Sequence, residues 1–119
     1  MQYSFRDDEV NALSSSQILK GILEGCLLSI ISKGEIYGYE MIEKLSTYGF
    51  TMVSEGSIYP LLIRMRKEGL VTTRSKKLPS GGPKRKYYSL TEQGKEELDS
   101  FKQKWRVISE SVNQLMEDE

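Results

Sequence analysis

Apolar doublets recur every four residues between Ile18 and Ile31: Ile18-Leu19, Ile22-Leu23, Cys26-Leu27 and Ile30-Ile31. That spacing predicts a helix with a broad buried stripe. Ser14 and Gln17 form a capping-box pair that would start it, and Lys33-Gly34 would close it. Residues 1–13 are polar with Tyr3, Phe5, Val10 and Leu13 scattered among them, and read as an arm. A shorter helix opens at Tyr37-Gly38-Tyr39, turns Met41, Ile42, Leu45 and Tyr48 inward, and ends at Gly49. Ser54 then caps a third helix running to Gly69. On its wheel Ile58, Leu61, Leu62 and Met65 gather on one side, with Gly56, Pro60, Ile63, Arg64 and Lys67 on or near the other. Pro60 is tolerable there if the first turn is irregular or the helix starts effectively near Ser57.

The period then changes. Leu70–Ser75 and Lys84–Leu90 read as two short strands joined by Leu78-Pro79-Ser80-Gly81-Gly82-Pro83, a hairpin. Thr91 caps a final helix whose apolar positions are Leu98, Phe101, Trp105, Ile108, Val112 and Leu115. Their steps of 3, 4, 3, 4 and 3 make a heptad seam rather than a globular face. A seam of that kind needs another helix over it, and the same element of a second copy is the simplest cover. The fold class expected is mainly α with a small β-hairpin: a winged helix-turn-helix over residues 14–90 and a long dimerisation helix over 91–119.

Charge sharpens this picture. The chain carries 17 basic and 17 acidic residues. Between Arg64 and Lys86, however, nine lysines and arginines meet one acid, Glu68. The remainder is correspondingly acidic, so the molecule is electrically two-sided. A helix followed by a basic hairpin is a device for touching a groove and the phosphates of duplex DNA.

Composition excludes other chemistry. There is no histidine and a single cysteine, Cys26, so histidine general bases, the usual zinc sites and an internal disulfide are not expected. Ser80-Gly81-Gly82-Pro83 leads into a strand, unlike a phosphate-cradling glycine loop that opens a helix. No enzymatic role, metal or cofactor is expected. No run has the length of a membrane span, and the polar, acidic start is unlike a signal peptide, which points to the cytoplasm.

The residues resemble the PadR family of bacterial transcriptional regulators. The matching strings are GILEGCLLSIISKGEIYGYEMIEKL, VSEGSIYPLLIRMRKEGLV and GGPKRKYYSLTEQGKEEL, which cover most of residues 20 to 98. The single carboxy-terminal helix looks like the smaller of the family's two size classes. The resemblance implies a homodimeric DNA-binding repressor relieved by a small molecule. Drug-responsive members place a tryptophan facing its symmetry mate where Trp105 stands. A pair of indoles there could sandwich a planar aromatic compound, with Phe101, Ile108 and Cys26 as pocket neighbours. Alternatively, Trp105 simply fills the seam.

Fourteen residues are candidates for DNA. In the wing, Arg85, or else Lys84, would enter the minor groove from the tip, with Lys76, Lys77 and Lys86 on phosphates. In the third helix the candidates are Ser54, Ser57, Tyr59, Pro60, Ile63, Arg64 and Lys67. Ile63 either packs on a thymine methyl or is a tolerated surface residue. Tyr59 either reads a base or packs with only its hydroxyl reaching a phosphate, and Arg64 serves guanine or phosphate. Tyr39 and Lys20 are backbone contacts, with core packing the alternative for Tyr39. Cys26 reads as a small core residue. The rival function is a protein-interaction adaptor that keeps the winged fold without a ligand response. Double-stranded DNA carrying an inverted repeat, with half-sites about 10 bp apart, is the partner that twofold symmetry requires.

Overall fold

The computed structural model describes the backbone of residues 7–118 and the side chains from residue 18 to 118. In chain order it contains α1 (Asp7–Ser32), β1 (Ile36–Tyr37), α2 (Gly38–Thr47), α3 (Glu55–Lys67), β2 (Val71–Leu78), β3 (Gly81–Leu90) and α4 (Glu92–Glu117). The three strands form one antiparallel sheet in the order β1-β3-β2. α1 lies at the centre, with α2, α4 and β3 packed around it.

The core is drawn from every element. Leu27, Leu28 and Ile31 of α1 meet Met41 and Leu45 of α2, Ile58, Leu62 and Met65 of α3, and Val71 and Tyr88 of the sheet. Burying each of these large side chains contributes about 1.5–3 kcal/mol. The wheel of α3 is as expected: Ile58, Leu62 and Met65 are buried, Leu61 is half-buried, and the opposite side is exposed.

Glycines close two helices. After α3, Gly69 adopts φ 79°. Its N–H donates to the Arg66 carbonyl at 3.1 Å and the Leu70 N–H to the Met65 carbonyl at 2.9 Å, a Schellman closure. Gly49, at φ 98°, closes α2 in the same way. These closures fix the angles at which the chain enters the wing and leaves α2.

Several expectations are corrected. α1 is already helical at Asp7, so Ser14 does not begin it, and much of the supposed arm of residues 1–13 belongs to this helix. Residues 1–6, and the side chains of the Ser14–Gln17 capping pair, lie outside what is described. Tyr48 does not turn inward; it is the C-cap of α2 and 78% exposed. α3 is regular from Glu55, with Pro60 inside it. The carbonyl that a Pro60 N–H would have engaged belongs to Gly56, which is exposed, so water can satisfy it. The hairpin strands are longer than their β-rich cores, because Leu78 pairs with Gly81 and only Pro79 and Ser80 form the turn. β1 was not foreseen, because two residues are too few to carry a period.

Candidate nucleic-acid interface

The sheet sorts the wing cations by parity. Side chains alternate between faces along a strand. Tyr88 of β3 points into the core, so Lys86 and Lys84 share its face, while Arg85 and Tyr87 share the other. On the Tyr88 side Lys86 meets α3. Ile63, Arg66 and Lys67 line a shallow cavity of about 330 Å³ together with Leu62, Lys86 and Tyr88. Ile63 is 55% exposed at its rim. The outward face of the third helix and the base of the wing therefore form one cationic surface with an apolar centre. Burial pushes the Tyr88 hydroxyl above its ordinary pKa, and the neighbouring Tyr59 adds to the effect while Arg66 opposes it.

The opposite face holds a different cluster. Glu35, just before β1, accepts from Arg74 Nε at 2.6 Å and Nη2 at 3.1 Å, and from Lys76 Nζ at 2.7 Å. These partners hold the Glu35 carboxyl down at a pKa of about 2. Lys76 also sits 4.3 Å from the centre of the Tyr87 ring, and Tyr87 meets Tyr37 edge to face. Arg85 lies over Tyr37, 4.9 Å from its centroid, with its Nε buried and without a partner among the described residues.

One expected wing placement is therefore corrected: Arg85 is not at the tip, but pairs with Lys76 in mid-strand and folds over a tyrosine. Lys76 is paired with Glu35, with 43% of its side chain still exposed. Lys77, Lys84 and Lys86 remain exposed. The cause is register, which pairs residues facing the same side, and Glu35 arrives from 39 and 41 positions away in sequence.

The third helix divides in the same way. Arg64 donates to Glu24 of α1 at 2.5 Å, so it leans toward α1. Arg66, which was not among the candidates, stands beside Ile63 and Lys67 instead. Its spacing of three residues after Ile63 was the available signal. Tyr59 packs against α2: a Cβ on Gly38 would come 2.8 Å from its hydroxyl. Ser54 is the N-cap residue of α3, with its hydroxyl 3.3 Å from that of Ser57. Ser57, Pro60, Lys67, Tyr39 and Lys20 are all exposed, with Tyr39 in the first turn of α2 and Lys20 on α1.

α4 begins with Thr91, whose hydroxyl accepts from Gly94 N–H at 2.9 Å and donates to the Gly69 carbonyl at 2.6 Å. Its first turns belong to the protomer. Leu98 is 5% exposed in the core, and the Phe101 ring lies directly on Gly25 of α1. Leu98 is therefore withdrawn from the expected intersubunit seam. Trp105, Ile108, Val112 and Leu115 continue outward, with Trp105 44% exposed and the others more so. Cys26 faces a groove shared with α2, and burial raises its thiol pKa, which makes it a poor nucleophile.

Three helices, a β-hairpin wing and an exposed cationic helix face define the protein class as a winged helix-turn-helix regulator. Residues 27–100 match the Transcriptional regulator PadR-like family, and the chain belongs to it. A PadR-like transcriptional regulator from Bacillus cereus is 56% identical, with a TM-score of 0.80 over 87% of this chain and 99% of that one. A padr family transcriptional regulator from Eggerthella lenta, 25% identical, superposes with a TM-score of 0.82 over 98% of this chain and 100% of the other. The Negative transcriptional regulator PadR of Bacillus subtilis is 28% identical over 100 residues, which are 82% of this chain and 52% of that protein. These relatives are regulators rather than enzymes, and this chain is likewise a regulator of transcription. Among the described residues no helix is long and apolar enough to cross a membrane.

Proposed function

We propose that this chain is a cytoplasmic homodimeric repressor that reads an inverted repeat in duplex DNA. The reading is carried by one juxtaposition: exposed Ile63, Arg66 and Lys67 of α3 lie beside Lys86 of the wing on a single surface. α3 enters the major groove. There Ile63 meets thymine methyls while Arg66 and Lys67 take bases or phosphates. Lys84 and the Pro79-Ser80 turn reach the adjacent minor groove, and Lys77 and Lys86 pair with phosphates. Ser57 and Tyr39, exposed near the starts of α3 and α2, add backbone contacts. The name of the Bacillus subtilis relative, a negative regulator, supports repression.

Dimerisation is supported by Trp105, Ile108, Val112 and Leu115, a stripe that the protomer leaves uncovered. Two Trp105 indoles meeting across the twofold would give planar aromatic compounds a stacking site. Such a compound relieves repression to the extent that it prefers a dimer with the wrong spacing between its two α3 helices.

The test is a gel-shift titration with DNA from immediately upstream of the chain's own coding sequence, at several salt concentrations. Two to four cations per subunit on phosphates give a log-log salt slope of about −2 to −4 per subunit. Salt-independent or absent binding would defeat the proposal and favour a protein partner.

A further inference from the structure

Acids from outside the cationic segment meet it at two places, and they differ in what they hold. Glu35 engages Arg74 and Lys76 on the sheet face turned away from Lys84 and Lys86. Glu24 of α1 engages Arg64, a residue of α3 itself. Spacing puts Arg64 one turn from Pro60 and from Lys67 and next to Ile63, all of them exposed. Its guanidinium therefore belongs to the side of α3 turned outward, yet Nη2 donates sideways to the Glu24 carboxylate at 2.5 Å.

Glu24 is the better anchored of the two partners. It stands between buried Leu23 and buried Gly25, and the Phe101 ring of α4 lies directly on Gly25. Its side chain is 27% exposed, against 53% for Arg64. Lys20 lies one turn earlier on α1, but no ion pair joins it to Glu24; among the described residues, Arg64 is the one cation that Glu24 engages.

A surface ion pair of this kind adds little to stability. What it decides is where a charge stands. An unoccupied guanidinium on the outer side of a reading helix pairs with the phosphates beside the groove, whatever the sequence between them. A carboxylate held at a fixed place on α1 competes for the same donors.

We propose that Glu24 is a positioning residue for DNA binding: by holding Arg64 against α1, it keeps that guanidinium off the phosphate backbone and lowers the affinity for duplex DNA of any sequence. Binding then depends more heavily on the contacts of Ile63 and Arg66, which lie with Lys86 on the reading surface. The inference rests on α3 entering the major groove, as proposed above.

The test uses gel shifts of the full chain at several salt concentrations. One duplex is the upstream DNA, and the other has the same length and a shuffled sequence. Glu24→Gln keeps the shape of the side chain and removes its charge. Affinity for both duplexes should rise about threefold or more, with a log-log salt slope steeper by about 1 per subunit. Damage to the fold lowers affinity, so a gain with a steeper slope separates release of a cation from a structural defect. In an Arg64→Ala background the same change at position 24 should leave affinity and slope as they are.

Wild-type binding that Glu24→Gln leaves unchanged or weakens would overturn the inference alone. A gain that persists in the Arg64→Ala background would overturn it too, because Glu24 would then act by repelling phosphate itself. A wild type that binds neither duplex would defeat the repressor reading, and this inference with it.

Discussion

Glu35 and Arg66 illustrate how single residues acquire roles from distant neighbours. The Glu35 carboxyl has a folded-state pKa of about 2, below its ordinary 4.5, because Arg74 and Lys76 donate to it. Between those two values the unfolded chain binds more protons than the folded one, so this contribution to stability grows as pH rises through the interval. It is fully present above about pH 4.5 and is lost toward pH 2. Thermal melts between pH 6 and pH 3 should therefore show a smaller acid-induced loss in Glu35→Gln than in the wild type. The pair lies at the surface, so added salt should shrink the difference. Arg66 makes the complementary case. Arg66→Ala and Lys86→Ala should each weaken DNA binding by about tenfold and reduce the salt slope by about 1. Arg64→Ala, whose guanidinium is tied to Glu24, should do less in the same gel shifts. Equal effects at positions 64 and 66 would show that α3 presents a different side to DNA.

Elements meet where side chains are missing. The Phe101 ring occupies the space over Gly25, which lets α4 approach α1 closely. At Gly94 an added Cβ would run into the carbonyl of Leu70, an atom already accepting from the Thr91 N–H at 3.0 Å. Replacing a helical glycine by alanine ordinarily gains about 1 kcal/mol. Here the obstruction is backbone that cannot rotate aside, so overpacking of about 1–3 kcal/mol should dominate. Urea denaturation of Gly94→Ala should accordingly give a lower midpoint than the wild type, and a higher one would mean that α4 shifts freely on the wing. The heptad reading of α4 foundered at the same junction. Spacing identified a stripe from Leu98 to Leu115, but it could not tell which part would be covered by α1 and which left bare.

Across the whole molecule, the cationic surface of α3 and the wing lies apart from the apolar stripe of outer α4. The dimeric repressor proposed above would thus bind phosphates and self-associate through separate surfaces. Val112→Glu/Leu115→Glu changes only exposed positions, so the protomer should keep its fold while the proposed dimer is lost. Sedimentation should then report a single chain mass, and affinity for an inverted repeat should fall by at least tenfold as two linked half-sites become independent ones. A variant that remains dimeric would move the interface off α4. The cationic surface is also less extensive than the count of nine suggested, because Arg64 is paired with Glu24, and Arg74 and Lys76 share Glu35, which offsets one of their two charges.

Periodicity and cap chemistry determined the order of helices and hairpin, the buried side of α3 and the closures at Gly49 and Gly69. Those features follow from local geometry: a repeat near four for helices, two for strands, and glycine where φ must be positive. Tertiary structure decided which cations are free. Strand parity sent Arg85 and Lys76 to one side and Lys84 and Lys86 to the other, and residues some 40 positions away then bound Arg64, Arg74 and Lys76. A sequence records charge, whereas the availability of that charge depends on what folding brings within hydrogen-bond reach.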